Sequence, residues 1–384
     1  MKSAQFLLIV TLLLCSSLVG CRSSSSPPAP PPTPPVPIPT PNPVTGVGDL
    51  PTQFDKVFTG TIGDKEATLY LNRSGEDLGG AYVFEVPKPL LHGRKNAFLL
   101  EGKLQAGGQF SLGVQQVEQK IATLTGKLRN ETGAQGAQLI VEGDWAPSQG
   151  QSNPAKVRFV EEVQALGNGV ELKEQVRNDE NQPANYVFQA RYPQLTGAKD
   201  ELSQRFNQEV ELLVDKAYHS FKEQVAQKYS QVQTPAPDSN VAGQLNSMGI
   251  LYEVFLTTSD VISIRLTIDI NYVGVPPVLK DVAVNYDRRT GKMLQLSDLF
   301  APNSSFLPKL STLCTSLAKG SGYTFPDTSA KPENFSSWNL NRRGLLINFQ
   351  VPFEEGGTVE AVIPFAELKD LVNPTGPLST LVKP

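Results

Sequence analysis

"YPQLTGAKDELSQRFNQEVELLVDKAYHSFKEQ", residues 192–224, joins the end of a strand to a long amphipathic segment and decides the class of the larger part of the chain. Leu202, Phe206, Val210, Leu213, Ala217, Phe221 and Val225 recur every three or four residues, which predicts a helix over about 199–229 with one apolar stripe. Gln204, Glu211, Asp215 and Lys222 fall on the opposite face. A helix of this kind packs its stripe on a sheet, and strand-like runs surround it. "AKVRFVEEV" (155–163), "GVELKEQVR" (169–177) and "NYVFQARYPQL" (185–195) precede it. "GILYEVFLTTSD" (249–260), "VISIRLTIDINYV" (261–273) and "VLKDVAVNYD" (278–287) follow the breaker "QTPAPDSN" (233–240).

"RRTGK" (288–292) reads as a hairpin turn with Gly291 at positive φ. "LQLSDLFAPNSSFLPKLSTLC" (294–314) gives a strand end and a second helix. Ser304 or Ser305 caps it, Pro308 lies in its first turn, and Leu307, Leu310, Cys314 and Leu317 form its buried side. "GLLINFQVPF" (344–353), "TVEAVIPF" (358–365) and a short helix with Phe365, Leu368 and Val372 inward complete the region. The expectation for 155–384 is an α+β domain with helices packed on an antiparallel sheet.

Residues 55–154 have a different rhythm. "VFTGTIG", "EATLYLN", "GGAYVFEV", "AFLLEGKL", "QFSLGVQQ", "IATLTGKL" and "AQLIVEGDW" alternate apolar and polar positions between glycines. Alternation sets Leu69 and Leu71 on one face and Thr68 and Tyr70 on the other. Short strands at this spacing predict a small all-β barrel or sandwich, with Trp145 plugging one end.

The start of the chain carries an address. Lys2 precedes the apolar run Phe6–Leu14, which is shorter than the ~20 residues of a membrane span and suits a signal peptide over 1–20. In "SLVGCRSSSSPPAPPP" (17–32), Leu18-Val19-Gly20-Cys21 resembles the lipobox of bacterial lipoproteins. That resemblance implies cleavage before Cys21 and acyl chains on its thiol and amine, hence a membrane anchor. Residues 21–54 read as a Ser/Pro-rich tether, since proline lacks a donor and fixes φ. Arg22 stands where aspartate would signal inner-membrane retention, so the expected location is extracytoplasmic, at the outer membrane in a Gram-negative host.

Composition narrows the chemistry. A formal net charge of −4 argues against nucleic acid as a partner. Cys15 leaves with the signal, Cys21 takes lipid, and Cys314 is left as a buried apolar thiol without a disulfide partner. The chain has 2 histidines. His92, in the loop "VPKPLLHGRK", and His219, on the helix between Asp215 and Glu223, both read as surface residues. Two distant histidines supply neither a zinc site nor a catalytic triad, so no metal and no cofactor is expected.

Segments from 185 to 373 resemble a bacterial extracytoplasmic module. The residues that carry this are the 192–224 segment, "NYDRRTGKMLQLSDLF" (285–300) and "GLLINFQVPFEEGGTVEAVIPFAELKDLV" (344–372), above all Tyr286-Asp287-x-x-Thr290-Gly291-Lys292 and Leu296-x-Asp298-Leu299-Phe300. The module forms the outer domain of a lysozyme-sensing anti-sigma factor and accompanies the catalytic domain of a peptidoglycan N-acetylmuramic acid deacetylase. Where it often carries a histidine after Asn-Tyr, this chain has Val273-Gly274-Val275-Pro276-Pro277. The resemblance implies the module and not a catalytic activity.

The functional expectation is a lipid-anchored binding or sensing protein of the cell envelope. Its partner would be a lysozyme-like muramidase or peptidoglycan, and its oligomeric state is open. Candidate contacts are loop residues: Tyr272, Gly274, Pro276 and Pro277; Glu354 and Glu355; and Trp338 with Arg342 and Arg343. The alternatives are a structural or assembly lipoprotein and a carboxylate-based cell-wall hydrolase, for which Glu253, Asp269, Asp281 and Asp287 are the acids in or beside strands.

Overall fold

The computed structural model describes residues 50–382 except 86–87, 94–96, 117–118, 134–135, 149–152, 163–165, 168, 198–199, 230–244 and 380. The signal peptide, Cys21 and most of the tether therefore lie outside the described residues. Among the described residues no helix is long and apolar enough to cross a membrane.

The first strands are β1 (Gln53–Ile62), β2 (Lys65–Ser74), β3 (Asp77–Phe84), β4 (Leu90–His92), β5 (Phe98–Leu104), β6 (Gln109–Gln116), β7 (Gln119–Gly133), β8 (Gly136–Pro147) and β9 (Ala155–Glu161). All but β4 close an antiparallel barrel in the order β1-β2-β3-β5-β6-β7-β8-β9, with β9 bonded to both β8 and β1. The alternation works as the sequence implies. Phe58, Leu69, Leu71, Leu100, Leu112, Leu124 and Phe159 point inward and fill the interior. Trp145 packs against this core and donates its indole N–H to the Tyr82 hydroxyl at 2.9 Å.

Two expected boundaries move. The barrel already includes Leu50, buried in its core, and β1 starts at Gln53, so the tether ends before 54. The segment from 155, expected to open the second domain, is β9, the strand that closes the first. Its alternation is the same in either sheet, and only its pairing partners decide.

The second part contains β10 (Glu171–Asn181), β11 (Tyr186–Thr196), α1 (Glu201–Gln224), β12 (Asn246–Thr257), β13 (Val261–Asn271), β14 (Val278–Asp287) and β15 (Lys292–Met293). After them come α2 (Phe306–Ala318), β16 (Trp338–Leu340), β17 (Gly344–Gln350) and β18 (Thr358–Pro364). Strands β10 to β15 form one sheet in chain order. It is mixed rather than wholly antiparallel: β11 and β12 pair parallel because α1 carries the chain back across the sheet between them. Asp200 caps α1 by accepting from the Ser203 N–H at 2.8 Å. Phe206, Val210, Val214, Tyr218, Phe221 and Val225 are buried against Phe188, Ile250, Ile264 and Val284, while Leu213 and Ala217 pack at the margin.

A second sheet has the order β16-β17-β18-β4. Its last strand comes from the barrel half of the chain. Leu90–His92 pairs with Glu360–Val362, and His92 is buried rather than a surface loop residue. Leu310 and Cys314 of α2 pack on this sheet, and Ser305 stands at the N-cap position of α2.

The two sheets meet through buried polar side chains. Ser263 donates to Asn285 Oδ1 at 2.6 Å, and Asn285 donates to the Trp338 carbonyl at 2.7 Å. Asn339 donates to the Ile264 carbonyl at 2.8 Å and accepts from Asn348 at 2.8 Å. The two most telling motifs are also structural. Asp287 accepts from the Arg289 N–H at 2.8 Å in the turn where Gly291 has φ 69°, and Asp298 accepts from the Gln295 N–H at 2.8 Å. Tyr286 is buried and donates to the Leu202 carbonyl at 2.6 Å, tying β14 to α1.

Glycine is required where β7 crosses β8. Gly126 and Gly143 face each other, and a Cβ on Gly143 would fall 2.0 Å from the Thr125 carbonyl oxygen. Gly143→Ala is expected to destabilise the protein by about 1–3 kcal/mol or more, as overpacking does. Urea unfolding measures this, and a loss below about 0.5 kcal/mol, the level of a neutral surface change, would contradict it.

Candidate functional site: paired hairpin tips over a buried ion network

The β13–β14 connection and the β17–β18 connection lie side by side. In the first, Asn246 Oδ1 accepts from the Val273 N–H at 3.0 Å, and Tyr272 stacks on Phe221 of α1 with ring centres 5.9 Å apart. The turn closes through Val275 N–H to the Tyr272 carbonyl at 3.0 Å, with Gly274 at φ 81°. Gly274 to Val278 are exposed, an apolar stretch of Val275, Pro276, Pro277 and Val278 in water.

In the second connection, the Glu355 carboxylate accepts from the N–H and hydroxyl of Thr324 at 2.6 and 2.9 Å, while Glu354 is exposed. The tips touch. A Cβ on Gly357 would sit 3.0 Å from Leu279 Cδ2, and the Thr358 hydroxyl donates to Asp281 at 2.6 Å. The connection that carries Tyr272, Gly274, Pro276 and Pro277 thus meets the one that carries Glu354 and Glu355 at Leu279 and Gly357.

Trp338, Arg342 and Arg343 do not join them. Trp338 is buried in the core around β16 and is no surface contact. Arg342 and Arg343 precede β17, at the end of that strand away from Glu354, and face the barrel. Arg342 Nε lies 3.7 Å from Glu162, and Arg343 Nη1 lies 3.1 Å from Glu85 and 3.7 Å from Glu66. They border a cavity of about 20 Å³, also lined by Val57, Thr68, Tyr70 and Phe255. That is room for about one water. Burial raises the Glu162 carboxyl, partly offset by Arg342 and Arg343. Burial and then the carboxylates of Glu360 and Glu253 push the Tyr70 phenol well up, so it stays neutral. This is a narrow, ion-paired seam between barrel and sheet.

Under the tips lies a group of which the sequence analysis names the acids Glu253 and Asp281 but neither Arg265 nor Glu360. Arg265 of β13 reaches Glu253 of β12 at 2.6 Å, Glu360 of β18 at 2.7 Å and Asp281 of β14 at 4.0 Å. Asp281 also accepts from the Thr267 hydroxyl at 2.8 Å. His92 Nδ1 of β4 lies 3.7 Å from Glu360. Burial opposes the charge on Glu360, but Arg265 and then His92 outweigh it and hold its carboxyl low. Burial likewise opposes the Arg265 charge, and Glu253, Glu360 and Asp281 overcome it. Glu253 and Asp281 therefore share an arginine, and Asp287 belongs to a turn. The signal for Arg265 is one charged residue in the strand run "VISIRLTI", which holds no other.

No protein-family profile and no curated protein matches the chain. Two solved structures of the DUF3298 family are similar in fold. The one from Bacteroides fragilis has 13% identity and a TM-score of 0.42, covering 56% of this chain and 97% of its own. The one from Pseudomonas aeruginosa has 16% identity and a TM-score of 0.34, covering 53% and 94%.

Arg265→Met is expected to cost about 3–5 kcal/mol by urea unfolding, because it strands three carboxylates. The pH dependence separates the two proteins. In the native protein Glu360 has a lowered pKa, so its contribution is present above the unfolded value near ~4.3 and is lost as pH falls below it. In the variant the unpaired acids bind protons more readily when folded, so stability should rise as pH falls from about 7 towards 5. Parallel pH profiles would rule out this account.

Proposed function

We propose that the chain is a lipid-anchored cell-envelope binding or sensing protein that grips a cationic protein partner, a lysozyme-like muramidase, through its paired hairpin tips. The observation that carries this is the exposed Val275-Pro276-Pro277-Val278 stretch on a connection that touches, at Leu279 and Gly357, the loop bearing Glu354 and Glu355. An apolar centre with a charged rim has the make-up of a protein interface. Loops on a rigid frame suit recognition, and here both hang from strands pinned by Arg265. The Leu18–Cys21 motif and the proline-rich segment supply the membrane anchor and the reach. The acidic balance of the chain favours a cationic partner.

The test is binding of the full-length chain to hen-type lysozyme by biolayer interferometry at two salt concentrations, with sedimentation against peptidoglycan sacculi beside it. Micromolar or tighter, salt-sensitive binding is expected, weakened tenfold or more by Val275→Asp and by Glu354→Lys. Sedimentation with sacculi and no lysozyme binding would replace the muramidase by the wall polymer. Binding to neither would overturn the proposal.

A further inference from the structure

The face of the six-stranded sheet turned away from α1 is covered by the second sheet around Ser263, Arg265 and Asn285. One register row lies further along β13: Asn178, Gln189, Gly249, Asp269 and Leu279, on β10 to β14. Met248 and Ile250 flank Gly249, Ile268 and Ile270 flank Asp269, and all four pack in the core beneath α1. Side chains alternate along a strand, so Gly249 and Asp269 belong to the opposite face.

Gly249 is a different kind of strand glycine from Gly60, Gly102, Gly126 and Gly143. At those four, backbone atoms crowd the site where a Cβ would stand. At Gly249 a Cβ would meet nothing within 4 Å. Its missing side chain leaves open space in the row. With strands ~4.8 Å apart, the gap between the Gln189 and Asp269 backbones is about 10 Å wide, enough for one more side chain.

Asp269 borders this slot. It is half-buried, and its carboxylate accepts from Asn271 Nδ2 at 3.2 Å. Among the described residues it forms no ion pair, in contrast to the acids around it. Glu253, Asp281 and Glu360 have Arg265, and Glu174 has Arg191. Burial raises the Asp269 carboxyl, and the Asn271 amide only partly offsets it. A carboxylate drawn out of water without a counter-charge is stabilised by a cation that comes to it. Leu251, the next outward residue on β12, and Leu279 give an aliphatic stem something to lie against. Leu279 touches the 353–357 tip, so the slot adjoins the proposed docking surface.

We infer that the slot between Gly249 and Asp269 seats a lysine or arginine side chain of the protein partner, an inference that rests on the hairpin tips being the docking surface. The cation pairs with Asp269 while its stem fills the space over Gly249.

The test is an NMR titration of the full-length chain with a capped tri-lysine peptide and with its Nε-acetylated counterpart. The variants are Asp269→Asn and Gly249→Val. The expected result is that the charged peptide shifts the Gly249 and Asp269 amides and the acetylated one does not. Each variant should lower peptide affinity fivefold or more. Gly249→Val should keep or raise Tm, since the space is open and valine suits a strand. Equal peptide binding by native protein and both variants, or shifts confined elsewhere, overturns the inference. Lysozyme binding separates the two proposals. Sensitivity to Val275→Asp without sensitivity to Asp269→Asn or Gly249→Val keeps the tips and removes the slot. Peptide binding at the slot without lysozyme binding keeps the slot and removes the muramidase.

Discussion

The arrangement of the second half of the chain depends on Arg265. Its guanidinium gathers carboxylates from β12, β14 and β18, two strands of one sheet and one of the other. Taking these charges out of water is costly, and the cost is offset only when every partner stays in reach. The group therefore acts as a register pin. If β18 slipped by one residue against β17, Glu360 would turn to the other face of its sheet and leave Arg265 with too few acids. The Ser263–Asn285–Asn339 hydrogen bonds act in the same sense at the far side of the interface. Apolar packing fills both cores but would tolerate several offsets, and these polar contacts select one.

The positions of the hairpin tips follow from this pin. Thr358, one step beyond Glu360 on β18, donates to Asp281 of the same group and so joins the tips. The loops can then expose valines and prolines without collapsing, because their ends are fixed by groups that cannot be satisfied elsewhere. Tyr272 adds a hold from below by stacking on α1.

Much of this was readable in the residues. The change of period at 200 gave the helix, and Gly291 gave its turn. Alternation with glycines gave the barrel. What the residues conceal is partnership. β9 has the same alternation whether it opens one sheet or closes another, and β4 is too short to show a period. The parallel pair follows from the helix between its strands, whereas the strand-like runs on either side of that helix by themselves suggest antiparallel neighbours. Tryptophan beside two arginines in "WNLNRR" looks like a contact patch. Instead Trp338 faces the core, and the arginines meet barrel acids distant in sequence. Prolines and glycines marked the tip loops, whereas the Gly249 slot is visible only once strand register is known.

The placement of β4 orders events in time. β3 bonds directly to β5, so the barrel closes without β4, which loops out between them. Among the described residues its strand partner is β18, near the end of the chain. Contacts so distant in sequence form late, after the chain ends have been brought together against their entropy. A chain that emerges N-terminus first completes its barrel while the edge of the last sheet is still missing. Docking of Leu90–His92 would then be a final latch, and a chain cut short before β18 would keep a folded barrel with an unclaimed strand.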